Sequence, residues 1–67
     1  MTRNQFRAAL KTLGLSQRKA AGWLGVTLRT VQNYATGVNE PPEPVARLLR
    51  LVIKLKLKPE EASKLWK

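Results

Sequence analysis

The segment from Leu28 to Thr36 reads LRTVQNYAT and holds most of the side chains in this chain suited to recognition chemistry. Arg29 offers a planar fork of donors that matches the two acceptors on the major-groove edge of guanine. Asn33, one helical turn further on, can pair with adenine or hold a phosphate, and Gln32 has the same two options. Thr30 can meet a thymine methyl or a phosphate, or it can support Thr27 in capping the helix. Leu28 is out of place by type, an apolar side chain at an exposed helix start, where it can fold back on the protein as a staple. The residues suited to phosphate lie around this segment. Gln17 sits at a helix start, where amide and side chain together can grip an anion, and Arg18 and Lys19 extend that grip. Thr27, Thr36 and Asn39 join the phosphate-facing set. Arg3, Arg7 and Lys11 repeat every four residues and form a basic ridge that either tracks a phosphate backbone or is a solvated helix face.

These side chains need elements to hold them, and the sequence punctuates five helices, near residues 3–13, 17–24, 28–36, 44–56 and 59–66. Thr2-x-x-Gln5 is a capping box for the first, whose inner face carries Phe6, Ala9, Leu10 and Leu13, and Gly14 stops it. Ser16 caps the second helix and Thr27 the third, while Gly25 and Gly37 supply left-handed ends. Ala21 is small where the second and third helices must cross, and Val26 and Val31 fix that crossing. Tyr34, Trp23 and Phe6 read as core or rim rather than as stacking platforms. Pro41-Pro42 forbids continuation of the third helix into the fourth. Pro44 and Pro59 suit first-turn positions, with Glu43, Glu60 and Glu61 near the positive helix starts.

The pattern from Gln17 to Tyr34 resembles the helix-turn-helix of the phage-repressor family, the small all-helical Cro/C1-type domains. The matching positions are Gln17, Ala21, Gly25–Val26, Val31 and Tyr34, at the family's spacing. Leu13-Gly14-Leu15-Ser16-Gln17 resembles the usual lead-in, and Gly37 with Glu40-Pro41-Pro42 resembles the loop after the recognition helix. The resemblance covers roughly residues 4 to 57. It implies a compact five-helix all-α domain whose third helix enters the major groove of double-stranded DNA, in a bacterial or phage-infected cytoplasm. In that family the position of Leu28 often reaches the bases, so packing on a thymine methyl stands beside the staple reading.

Composition supports the same class and excludes others. Thirteen Lys and Arg against four Glu give a net charge of +9 over 67 residues, with a pI near 11.1. A small, strongly basic domain has the electrostatic footprint of nucleic-acid binding. Cysteine and histidine are both absent. That removes disulfides and the usual zinc sites, fits a reducing cytosol, and leaves neither a nucleophile–base pair nor a metal to build catalysis around. The expectation is therefore a non-enzyme with no cofactor and no small-molecule ligand. Arg3, Arg7 and Lys11 lie within an amphipathic pattern rather than ahead of an apolar run, so no signal peptide is expected. The stretch Val45 to Leu57 is broken by Arg47, Arg50, Lys54 and Lys56 and cannot span a bilayer.

The apolar residues of the fourth helix (Val45, Leu48, Leu49, Leu51, Val52, Ile53 and Leu55) cover more of its circumference than one core needs. The surplus points to a homodimer closed by Leu51, Leu55, Leu65 and Trp66, or to cover from the short fifth helix. The leading function is a sequence-specific transcriptional regulator, a repressor that occupies a palindromic operator as a homodimer. A DNA-targeting subunit of an antitoxin or recombinase complex is the nearest alternative. A basic amphipathic protein on a membrane surface, built on RLLRLVIKLKLK, is a further one.

Overall fold

The computed structural model describes residues 1–65. Five helices follow in order: α1 Arg3–Leu13, α2 Gln17–Leu24, α3 Leu28–Thr36, α4 Glu43–Lys54 and α5 Pro59–Ser63. No strand occurs among the described residues. The chain folds into a body of 29 × 21 × 20 Å, with α3 packed on α2 and α1, and α4 packed on α1.

Each of the first three helices starts where a side-chain oxygen meets a free amide. Thr2 Oγ1 accepts from the Gln5 amide at 3.2 Å while Gln5 Oε1 accepts from the Thr2 amide at 2.9 Å, closing the expected box. Ser16 Oγ accepts from the Lys19 amide at 3.1 Å and Thr27 Oγ1 from the Thr30 amide at 3.2 Å. The sharp turn between α2 and α3 needs a residue at φ +75°, which Gly25 adopts without the steric cost a side chain would carry. Leucine, valine and aromatic side chains then fill the space between helices. Phe6, Val31 and Leu49 are fully buried, and the Phe6 ring meets Tyr34 edge-on, with centroids 5.5 Å apart and planes at 77°. That is the favoured T-shaped arrangement of two aromatic rings. Tyr34 and Phe6 are thus core residues, as their types and spacing led us to expect.

The fourth and fifth helices are shorter than the sequence pattern predicts. α4 begins at Glu43, one residue earlier than expected, with Pro44 in its first turn, and ends at Lys54 instead of Lys56. Leu55 is its last capping residue, and Lys56 turns left-handed at φ 56°. The Lys56 amide then donates to the Ile53 carbonyl at 3.0 Å and the Leu57 amide to Val52 at 3.2 Å, which satisfies the helix end. The cause is local. The left-handed turn at Lys56 ends the helix, and Pro59, which disfavours helical backbone at Lys58, keeps the chain from resuming it before α5. α5 stops at Ser63 rather than 66 and Leu65 lies in a turn, 77% exposed. Trp66, expected at a dimer contact, lies outside the described residues.

α5 docks through Trp23, whose indole Nε1 donates to the Pro59 carbonyl at 2.8 Å, and through the buried Ala62. It does not cover the outer side of α4: Leu51 and Leu55 are 55% and 56% exposed. Cover from the fifth helix, one of the two fates expected for that surplus, is not provided by its described residues.

Lys56 carries a side chain where the backbone favours glycine. Left-handed backbone costs a non-glycine residue about 1–2 kcal/mol, part of which the greater freedom of unfolded glycine offsets. Lys56→Gly should therefore raise unfolding stability by roughly 0.5–1 kcal/mol, read from urea denaturation. A destabilised variant would show that the Lys56 side chain makes a contact worth more than the strain.

Candidate nucleic-acid interface

α3 divides cleanly into two faces. Val31, Tyr34 and Ala35 are buried against the core. Helical spacing sets Arg29, Gln32, Asn33 and Thr36 opposite them, within a sector of about 100°. Arg29, Gln32 and Thr36 are exposed and Asn33 is half-buried. No hydrogen bond or ion pair among the described residues engages the side chains of Arg29, Gln32 or Asn33. Their polar heads are therefore not committed to the fold.

The residues flanking this sector are partly committed. Leu28 is half-buried and packs against the core cluster, so the staple accounts for most of its surface. Thr30 is half-buried and its hydroxyl lies 2.9 Å from the Thr27 hydroxyl, beside the cap that Thr27 makes to the Thr30 amide. Both threonines thus hold the start of α3 in place. Thr36 faces outward but turns its hydroxyl back to the Gln32 carbonyl at 2.9 Å. Of the side chains expected to read bases, Arg29 and Gln32 are exposed and Asn33 half-buried, all three without a hydrogen-bond partner among the described residues, with Leu28 and Thr30 at the rim.

The phosphate set is spread over three elements. Gln17 is the first residue of α2 and Arg18 the second, both exposed, at a helix start whose amides carry partial positive charge. Asn39 is exposed in the loop after α3, where its amide donates to the Asn33 carbonyl at 3.3 Å and so fixes the loop against the helix end. Arg7 and Lys11 are exposed on α1. The ridge expected from Arg3, Arg7 and Lys11 does not run straight. Each step of four residues turns about 40° round a helix of 3.6 residues per turn. Arg3 thus lies nearest α3, while Arg7 and Lys11 swing progressively into solvent.

Arg3 itself does something the spacing did not reveal. Its Nη1 reaches the Thr36 carbonyl at 3.5 Å, and its Cδ lies 3.2 Å from where a Cβ on Gly37 would stand. The only hint in the sequence is that Arg3 precedes the core residue Phe6 by one turn. Elsewhere the charges pair locally: Glu43 accepts from Arg47 at 3.3 Å and sits 3.6 Å from Arg50, on an exposed surface where such pairs stabilise little. Among the described residues no cluster of acidic side chains fit to hold a metal ion occurs, and no helix is long and apolar enough to cross a membrane.

Set against models of known families, curated proteins and solved structures, the chain matches none of them.

Proposed function

We propose that this chain is a sequence-specific, double-stranded-DNA-binding transcriptional regulator of the Cro/C1-type helix-turn-helix kind, acting by occupying promoter DNA. The observation that carries the reading is the uncommitted polar sector of α3. Arg29, Gln32 and Asn33 project from a helix whose inner face and both ends are already satisfied by the fold. A helix with its side chains is about 10–12 Å across, and the major groove is about 12 Å wide, so such a helix can present these heads to base edges. The amides and side chain at the start of α2, together with the loop at Asn39, are placed in elements adjoining α3 and are of the type that grips phosphates. The +9 charge supplies long-range attraction to a polyanion. The narrow, deep major groove of RNA would not admit α3, which favours DNA over duplex RNA as the ligand.

In this reading a second copy completes the regulator. Leu51 and Leu55 lie one turn apart on α4 and stay more than half exposed. A two-fold contact through them would bring two α3 helices to one face of a duplex, on half-sites with centres about 10–10.5 base pairs apart or a multiple of that. Leu51 and Leu55 are already open in the single chain, so pairing through them needs no displacement of the described part of α5.

Arg29 carries the sharpest test. Arg29→Ala should cost about 1–3 kcal/mol on the best duplex selected from a random pool, and much less on random duplex. Equal losses on both would assign Arg29 to the phosphate backbone.

Affinity should also fall steeply with salt. With several phosphates neutralised per operator, the slope of log K against log salt should be steeper than about −3, at roughly −0.9 per phosphate. A nearly flat dependence would leave the basic surface without its proposed role.

The pairing surface has its own test. Leu51→Asp combined with Leu55→Asp should give a folded protein that sediments as a monomer and binds the palindrome weakly and without cooperativity. Unchanged cooperative binding by the double variant would place the second copy elsewhere.

A further inference from the structure

α1 packs on α3 along a shared core, and two specific contacts one helical turn apart on α1 stand out. At Phe6 the buried ring meets Tyr34 edge-on, in the middle of the third helix. At Arg3 the side chain crosses the last turn: its stem lies over Gly37, which stands at φ +87°, and its Nη1 points at the Thr36 carbonyl. The shared core fixes where the two helices cross. A contact displaced along the axis, at the last turn of α3, restrains the angle at which they do so.

The end of α3 is otherwise satisfied from within its own neighbourhood. The Asn33 carbonyl accepts from the Gly37 amide at 3.1 Å and from the Asn39 amide at 3.3 Å, and the Gln32 carbonyl accepts from the Thr36 hydroxyl. Among the described residues, Arg3 is the only donor that another helix sends to this end. A cation there also faces the negative pole of the helix dipole. The start of α1, in turn, is held by the Thr2–Gln5 box, so Arg3 is anchored on ordered backbone.

We infer that Arg3 is a positioning residue for α3: it sets the angle at which Arg29, Gln32 and Asn33 meet DNA, instead of binding phosphate with Arg7 and Lys11. The role rests on the DNA-binding reading above. It also gives Gly37 a second requirement. A side chain there would be strained by the positive φ and would in addition press on the Arg3 stem, which would have to shift.

The test measures the binding of Arg3→Ala, Arg3→Lys and the unaltered chain to the duplex selected from a random pool and to random duplex, each across a salt series. Arg3→Ala should lose about tenfold on the selected duplex, equivalent to one partly misplaced base contact, and less than about twofold on random duplex. The salt slope should not change, and Arg3→Lys, which keeps a cation at the helix end, should recover most of the loss. A slope flattened by about 0.9, with both duplexes weakened alike, would make Arg3 a phosphate contact and overturn the proposal. So would a variant that binds as the unaltered chain does. A double-mutant cycle on thermal unfolding reads the contact itself without DNA. Gly37→Ala should lower Tm by several degrees, and by less once Arg3→Ala has removed the side chain it displaces. Strictly additive losses would show that the two residues do not meet and would also overturn the proposal. An unaltered chain that prefers no duplex would remove the DNA-binding reading instead, an outcome the cycle separates from failure of the contact.

Discussion

Close approach of the helices is the constraint on which this small fold depends. Half of the core side chains among the described residues are alanine: Ala9, Ala20, Ala21, Ala35, Ala46 and Ala62, spread over all five helices. Alanine adds little volume, so the backbones must come near one another to leave no void, and the larger spaces are filled by Phe6, Leu10, Val31, Tyr34, Leu49 and Val52. A core of this kind has little room to adjust. Replacing an alanine in these seams with anything larger would push two helices apart, and α3, lying on both α2 and α1, would move with them.

The same economy explains why α3 can leave so much polar surface unspent. Its inner face needs only Val31, Tyr34 and Ala35. Thr27 and Thr30 settle its start, and Gly37, Asn39, Thr36 and Arg3 settle its end. Because the helix is held by hydrogen bonds at both ends and by packing on one side, the side chains of Arg29, Gln32 and Asn33 are not required for its position. Groups that the fold does not need are the ones free to act on a ligand, and this separation underlies the proposal for Arg29, Gln32 and Asn33.

The far side of the molecule is organised differently. α4 buries Ala46, Leu49 and Val52 and presents Leu51 and Leu55 to solvent, an arrangement that a chain of this size tolerates at some cost in solubility. The turn at Lys56 and the proline at 59 direct the chain back toward Trp23 and away from those leucines. The path of the last helix, rather than the composition of α4, leaves the pair open.

Where local chemistry decides the outcome, the sequence alone was enough. The caps at Thr2, Ser16 and Thr27, the left-handed ends at Gly14, Gly25 and Gly37, and the inner faces of α1 to α3 were all legible, because a cap involves residues only three or four apart and helical spacing assigns faces directly. The outward sector of α3 was legible for the same reason. Tertiary structure decided the rest. Leu28 and Thr30 had several readings each, and packing shows one half-buried against the core and the other with its hydroxyl on Thr27. Arg3 looked like the first member of a solvated ridge, and only the approach of α1 to the end of α3 gave it a partner 33 residues away. Trp23 found its acceptor at Pro59 across a similar separation. Contacts between residues so far apart depend on the angles at which helices cross, and those angles come from how all the side chains pack together, which no short stretch of sequence contains.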